Sequence, residues 1–180
     1  MADRGQAASM SDVATEAGVA RATLYRYFES RRALEDEVVS RGVLRAGEGL
    51  RSGRIGEIGV QGGIQRAVRV LLDVGDALVV IMRRRGDDPL PEFDARVAGP
   101  LRRLLHDGQA GGEIRGDVPA PWLAESLMTI VANAVSSPPT TGKEDTIAAV
   151  SGFFLDGVWA RAPVSRADRP HTARAGGDDD

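Results

Sequence analysis

The stretch SDVATEAGVARATLYRYFESRRAL, residues 11–34, decides the fold. Just before this stretch, Ser9 is followed three residues later by Asp12. The pair resembles a capping box and predicts a first helix over residues 9–17. Gly18 suits the tight turn that follows, because glycine adopts the left-handed backbone conformation without strain. A second helix is predicted over residues 21–28, and Ser30 is placed to cap a third. The segment therefore predicts three short, consecutive helices.

A helix, a glycine-containing turn and a second helix at this spacing are typical of a helix-turn-helix, whose second helix enters the major groove of DNA. Leu24 and Phe28 lie one turn apart on the second helix and can pack inward. Small, aromatic and guanidinium side chains, which suit base edges, would then face outward or lie on the flanks: Arg21, Ala22, Thr23, Tyr25 and Arg26. This pattern predicts a DNA-reading helix.

Local charge agrees with DNA binding although the net charge of the chain is −3. Four arginines and one glutamate give residues 20–32 a local charge of +3. Such a patch suffices to neutralise phosphates. The alternative is an ordinary solvated helix face, and Tyr25 and Tyr27 could equally be tyrosines that bury their rings and keep their hydroxyls in water.

The segment resembles the DNA-binding heads of the tetracycline-repressor (TetR) family, which typically read DVAxxAGVxxxTLYxYFxSR, as residues 12–31 do here, followed by an Ala-Leu pair. The resemblance covers about residues 9–39, and residues 112–118 (GEIRGDV) are similar to the loop that often precedes the dimer helices of the family. It implies an all-α protein with a helix-turn-helix head and a helical body that binds a ligand and dimerises. The implied partners are a double-stranded DNA operator, a second copy of the chain and a small-molecule effector.

The resemblance also implies roles for individual side chains. Arg21, Ala22, Thr23 and Tyr25 would lie at the bases or the nearby backbone, and Tyr27 and Arg31 would hold phosphates. The complete predicted DNA-binding set is Ser11, Arg21, Ala22, Thr23, Tyr25, Arg26, Tyr27 and Arg31. The effector would bind inside the body, where the apolar candidates Met82, Phe93, Trp122 and Met128 and the polar Asn133 suggest a hydrophobic or aromatic molecule.

One departure from the family concerns the start of the chain. Family members have a complete helix before the equivalent of residues 2–5, and this sequence begins at the end of that helix. The missing helix would cover four apolar side chains, at roughly 1.5 to 3 kcal/mol each: Val13, Leu24, Phe28 and Leu34. Two hypotheses follow: the true start lies upstream, or the chain is a dimeric ligand-binding remnant with impaired or no DNA binding.

The remainder of the chain is also predicted to be helical. Residues 42–63 are rich in glycine and predict a loose connector. Four helices should follow: an amphipathic helix over 64–85, a helix over 91–106 that is bent or split at Pro100, a helix over 121–135, and one that begins at the capping box of Thr141 and Glu144. We expect a head over 1–45, a body over 64–160 and a disordered tail over 161–180.

The last two helices carry broad apolar faces. In the family these helices form the dimer, so Phe154 and Val158, with Ala132 and Val135, are candidates for the dimer seam. Small residues permit close helix approach, but they do so inside monomers too. The alternative for each of these residues, as for the candidate ligand residues, is packing in the core of one subunit.

Enzymatic chemistry finds little support in the sequence. The chain has no Cys, and its two histidines, His106 and His171, lack metal-ligand spacing, so we expect no catalytic or metal site and no cofactor. Gly47 and Gly49 lack the third glycine of a dinucleotide-binding loop. No apolar run approaches the length of a membrane span, and no leader is visible, so a cytoplasmic protein without membrane contact is expected.

Overall fold

The computed structural model describes residues 9–85, 89–137 and 142–159. These residues form helices and no β-strand. The helices are α1 (Met10–Glu16), α2 (Arg21–Tyr27), α3 (Arg31–Ser52), α4 (Gly59–Val74), α5 (Asp76–Arg84), α6 (Pro91–Phe93), α7 (Gly99–Ala110), α8 (Ala120–Ser136) and α9 (Lys143–Val158), with a π-helical turn over Asp94–Ala98 between α6 and α7. The predicted all-α class is confirmed. The predicted tail over 161–180 lies outside the described residues.

The head consists of α1, α2 and the first turns of α3, and it has a small core of its own. Leu24 of α2 packs with Met10 and Ala14 of α1, and the partly buried members of this cluster are Val13, Phe28 and Leu34. The predicted capping box is present, because Ser9 Oγ accepts from the backbone N–H of Asp12 while the Asp12 carboxylate accepts from the backbone N–H of Ser9. The hydrogen bonds from Ser9 hold the pKa of Asp12 below its ordinary value.

Helix α3 is longer than the sequence predicts, and the loose connector over 42–63 is wrong. The helix continues without interruption to Ser52, and only residues 53–58 link it to α4. Its glycines lie where other segments cross. A Cβ at Gly42 would lie 2.9 Å from Cβ of Ala77, and one at Gly49 would lie 2.8 Å from Cγ1 of Val70. These glycines serve tertiary packing, and that packing outweighs their weak helix propensity.

The single helix predicted over 64–85 is also wrong, because it is two helices. Gly75 separates α4 from α5 with φ 59° and ψ −135°, a conformation that only glycine adopts readily. The apolar segment 77–82 then belongs to a separate helix, with Leu78 and Ile81 in the core.

The helix predicted over 91–106 is irregular, but not at Pro100: the irregular segment is the π-helical turn over Asp94–Ala98, which ends before Pro100. The backbone N–H of Gly99 donates to the carbonyl of Asp94, which is the wider spacing of a π-helix. Regular α-helix resumes with Gly99, and Pro100 occupies the first turn of α7, where its missing N–H costs nothing.

Helix α4 lies at the centre of the body, packed against α3, α7, α8 and α9. Its fully buried face includes Ile64, Val68 and Leu71, which share one core with Leu127 and Met128 of α8. The predicted helix over 121–135 is confirmed as α8, with Pro121 at its second residue. Helix α9 begins with Gly142 as its N-cap, so the capping box that starts at Thr141 is wrong, and Thr141 itself lies outside the described residues.

The packing of α4 predicts a destabilising effect of Gly63→Ala. A Cβ at Gly63 would lie 2.6 Å from the carbonyl oxygen of Ile55 and 2.8 Å from both methyls of Leu104. The backbone oxygen cannot move aside cheaply, so we expect a loss of about 1–3 kcal/mol in the free energy of unfolding. Urea denaturation followed by circular dichroism measures this loss. Gly56→Ala is the matched control, since a Cβ there meets no atom within 4 Å; equal stability of the two variants would contradict the packing argument.

The separate core of the head predicts that Leu24→Ala unfolds the head alone. Leu24 is 8% exposed and belongs only to the small cluster of the head. Its truncation should cost about 2–5 kcal/mol, which a cluster of this size cannot absorb. Amide hydrogen exchange should then lose protection in α1 and α2 and retain it in α4 and α8. The control Leu44→Ala removes a half-exposed leucine from α3 and should leave amide protection unchanged in the head and in the body. Loss of protection in α4 of the Leu24→Ala variant would show instead that the head and the body unfold together.

Candidate DNA interface

Helix α2 presents the predicted faces. Leu24 points inward and Phe28, which follows the helix, is half-buried, whereas Arg21, Ala22, Tyr25 and Arg26 are exposed. Gly18 has φ 65° in the turn before the helix, and the N–H of Val19 donates to the carbonyl of Ala14. This turn fixes α2 across α1 and leaves its outer face free for a groove.

Two arginines on α2 stack on tyrosines of the same helix. The guanidinium of Arg21 lies 5.3 Å from the ring centroid of Tyr25, and that of Arg26 lies 5.3 Å from the ring centroid of Tyr27. Stacking of this kind restrains both side chains while the charges stay in solvent. The exposed face of α2 is thus a set of restrained cations and aromatic rings.

Two further predicted DNA-binding positions, both with hydroxyl side chains, lie in the head as well. Thr23 is half-buried on α2, and Ser11 is half-buried in the first turn of α1. The backbone carbonyl of Ser11 accepts from Thr15 Oγ1 at 2.9 Å, so this turn of α1 is fixed. The structure therefore brings all eight predicted DNA-binding residues onto α1, α2 and the start of α3; their contact with DNA stays a prediction.

Arg31 begins α3, and its charge is engaged within the protein. Arg31 Nε donates to Oε1 of Glu35 at 2.9 Å, and Nη2 of Arg83 donates to the same oxygen at 2.9 Å. Burial raises the pKa of Glu35, but the hydrogen bond from Arg31 and the positive charges of Arg83, Arg31 and Arg84 outweigh burial and hold that pKa below its ordinary value. Glu35 is therefore ionised and shared by two arginines.

Glu35 and Arg83 were not among the residues predicted from the sequence. Their partnership joins α3 to the end of α5, across 48 positions of the chain. The only local signal was the run Arg83-Arg84-Arg85, which the sequence alone presents as a return of the helix to water.

The five predicted ligand residues do not share one site. Phe93 is buried and lines a groove of about 450 Å³ between α3 and α6, together with Val39, Val43 and Leu90. The other candidates lie elsewhere: Met82 is half-buried on α5, Met128 is in the body core, Asn133 is exposed on α8, and Trp122 lines a different groove between α8 and α9. A larger groove of about 770 Å³ runs along α3 from Leu44 and past the end of the helix to Gly56, in the link to α4.

The predicted dimer seam needs a correction. Phe154 and Val158 are buried in the core of their own subunit, so they cannot form the exposed seam. Ala132 and Val135 are half-buried. The exposed aromatic side chains of this face are Trp122 of α8 and Phe153 of α9, which line the same groove. A helical pattern in α9 could not say which of the adjacent residues 153 and 154 faces the core.

Among the residues that the structure describes, no helix combines the length and the apolar character that a membrane crossing requires.

Comparison with known proteins agrees with the geometry of the head. Residues 1–38 match the family model for bacterial regulatory proteins of the tetR family. No curated protein matches the chain significantly.

Several solved structures share the fold over most of the chain. The ketosteroid transcriptional regulator KstR2 of Mycobacterium tuberculosis has a TM-score of 0.65 and 16% identity over 86% of this chain and 86% of its own. The TetR family regulator PfmR of Thermus thermophilus has a TM-score of 0.59 and 15% identity over 83% of this chain and 88% of its own. The TetR family member SCO3833 of Streptomyces coelicolor has a TM-score of 0.57 and 22% identity over 83% of this chain and 82% of its own. At these identities the likeness shows the fold.

The family model matches the head, and the fold of TetR regulators extends over the body as well. Residues 1–38 are thus similar to the DNA-binding head of the tetR family, and the described part of the chain has the fold of solved TetR regulators.

Proposed function

We propose that this regulator is a homodimeric repressor that binds a DNA operator and is released from it by a small molecule. The observation that carries the proposal is the exposed face of α2. Tyr25 and Arg26 face solvent there, while Leu24 anchors the helix to α1. A helix held in this way can enter a major groove and offer donors and an apolar surface to base edges.

Phosphate binding would fix the head on the duplex. Tyr27 is exposed at the end of α2, and Arg31 begins the next helix with its guanidinium partly exposed. Arg21, Arg26 and Arg32 add exposed cations on the same part of the chain. Cations close to the backbone displace counterions, so the affinity should fall steeply with salt.

The dimer would form through the exposed aromatic face of α8 and α9. Trp122 is 63% exposed and Phe153 is 72% exposed, and both border a groove lined by Val118, Leu123 and Ile130. Two large aromatic side chains on one apolar surface mark an interaction site in soluble proteins. A second copy would cover them, and a two-fold dimer would place two heads for successive major grooves.

The effector would bind along α3. The groove at Phe93 is floored by Val39 and Val43 of α3 and reaches the residues before the π-helical turn. Its volume of about 450 Å³ suits a small hydrophobic or aromatic molecule. Because α3 runs from the head into the body, a ligand that prefers one arrangement of this helix shifts the spacing of the heads by its differential affinity.

One observation favours a second candidate function, a dimeric ligand-binding protein with impaired DNA binding. Of the residues that the structure describes, Met10, Ala14 and Leu24 form the core of the head, with three more side chains partly buried around them. So small a cluster gives the head little stability of its own, and an unfolded head does not read DNA.

The proposed DNA interface predicts salt-dependent binding that requires Tyr25 and Arg31. The 180-residue chain should bind the DNA that flanks its own gene, and the logarithm of the affinity should fall linearly with the logarithm of salt concentration. Arg31→Ala should weaken binding and reduce the salt slope by about 1 for each head. Tyr25→Ala should weaken binding by about 1–3 kcal/mol and relax the choice of sequence. Fluorescence anisotropy across a series of salt concentrations measures each quantity.

Arg66→Ala serves as the charge-matched control for this titration, because Arg66 is exposed on α4. It removes one positive charge away from the head and should leave the salt slope unchanged. Binding of the unaltered chain only at the weak nonspecific level would reject the repressor and favour the ligand-binding protein.

The exposed aromatic face predicts a dimer that Phe153→Asp disrupts. A buried carboxylate opposite an apolar surface carries a desolvation penalty of several kcal/mol, so the variant should sediment as a monomer at concentrations where the unaltered chain is a dimer. Analytical ultracentrifugation measures the mass directly. Leu44→Asp is the control, since Leu44 is another exposed apolar residue but lies on α3, away from this groove. A dimer that survives Phe153→Asp and dissociates with Leu44→Asp would place the interface elsewhere.

A further inference from the structure

We infer that Glu35 and Arg83 are positioning residues for DNA binding: by sharing the Glu35 carboxylate, Arg83 weakens the hold of that carboxylate on Arg31, whose guanidinium would bind a DNA phosphate. This inference rests on the proposed function, because it takes Arg31 as a phosphate-binding residue. It adds a residue of the body, Arg83, to the determinants of DNA affinity, although Arg83 is not part of the groove-reading helix.

The geometry puts one carboxylate oxygen between two guanidinium groups. Oε1 of Glu35 lies 2.9 Å from Nε of Arg31 and 2.9 Å from Nη2 of Arg83. The Glu35 side chain is 22% exposed, so solvent screens its charge only in part. Arg31 and Glu35 are one turn apart on α3, and Arg83 reaches them from the end of α5.

The end of α5 holds more than this one contact. Arg84 pairs with Asp36 of α3, and Arg85 pairs with Glu125 of α8. The guanidinium of Arg85 also lies 5.2 Å from the ring centroid of Phe93. Three consecutive arginines therefore join the first turns of α3 to α8 and to the wall of the Phe93 groove. A displacement of α5 would change all of these contacts together.

Electrostatics gives Arg83 its effect on DNA binding. A phosphate that approaches Arg31 competes with the Glu35 carboxylate for the guanidinium and is repelled by the carboxylate charge. Arg83 neutralises that charge and weakens the hold of Glu35 on Arg31. Without Arg83, the carboxylate keeps Arg31 more tightly and repels the phosphate more strongly. Loss of Arg83 should therefore weaken DNA binding, because the negative charge of Glu35 is then neutralised less.

The test is a double-mutant cycle on the full chain with the duplex that flanks its gene. Arg83→Ala should weaken binding about three- to tenfold, as expected for one pair within a charge network. Arg83→Ala combined with Glu35→Gln should bind nearly as well as the unaltered chain, because the glutamine leaves no negative charge. Arg83→Lys, which keeps the charge, should also bind normally. Circular dichroism verifies that each variant is folded.

The matched control is Arg41→Ala. Arg41 lies on α3, pairs with Glu37 one turn earlier and is solvent-exposed, so the variant removes the same charge and the same kind of ion pair. It should change the affinity less than about twofold, as expected for an exposed pair. An Arg83→Ala effect no larger than that of Arg41→Ala would overturn the inference. Failure of Glu35→Gln to rescue Arg83→Ala would overturn it too, because Arg83 would then act on DNA directly.

A second readout needs no DNA and separates this inference from the proposed function. The Nε–Hε resonance of Arg31, assigned by its loss in Arg31→Lys, should shift and exchange more slowly with water in Arg83→Ala, and Glu35→Gln should reverse both changes. If the unaltered chain binds no duplex, the repressor is rejected while this resonance still decides whether the carboxylate is shared. An Arg31 resonance that ignores Arg83→Ala would reject the shared carboxylate whatever the chain does with DNA.

Discussion

The whole arrangement depends on one constraint, the close approach of other helices to the backbone of α3. A Cβ at Gly42 would meet Ala77 of α5, one at Gly47 would meet Arg96 of the π-helical turn, and one at Gly49 would meet Val70 of α4. A side chain at these positions would push α5, the turn or α4 outward. Because the three contacts hold one uninterrupted helix, the first turns of α3 can belong to the head while its later turns belong to the body. The head is therefore attached to the body through one continuous helix, α3.

Helix α3 joins a small head to a larger body. Among the described residues, the body core includes buried side chains from α3, α4, α5, α7, α8 and α9, whereas the core of the head includes Met10, Ala14 and Leu24. A regulator benefits from this difference, since elements that must adapt to DNA have low stability of their own. It also means that the orientation of the head is determined by α3 and by the ion pairs at its beginning, more than by apolar contact with the body.

Sequence reasoning succeeded where the signal is local. The period of Leu24 and Phe28 identifies the inner face of α2, and the spacing of Ser9 and Asp12 identifies the first cap, because both signals lie within one or two turns. It failed at the glycines of α3, whose low propensity predicts a loop while their contacts with distant residues demand a helix. The ligand residues were scattered for the same reason: an aromatic side chain at helical spacing does not say whether it faces the core, as Phe93 does, or solvent, as Trp122 does.

Communication between the body and the head can use two physical routes, and they differ in their response to salt. The first route is the packing of α3 against α4 and α5, which would transmit a rotation of α3. Salt should not weaken this route, because apolar contacts are not screened by ions. The shared carboxylate of Glu35 would change how strongly the proposed phosphate-binding Arg31 is held, and this partly exposed charge is screened within a Debye length of about 8 Å at physiological salt. In the proposed dimer, the first route would set where the two heads lie, whereas the second would set how strongly each head binds the DNA backbone. The ends of both routes meet at α5, because this one helix packs on α3 and carries Arg83. In the proposed dimer, a single displacement of α5 would therefore change both the spacing of the two heads and the affinity of each head for the DNA backbone.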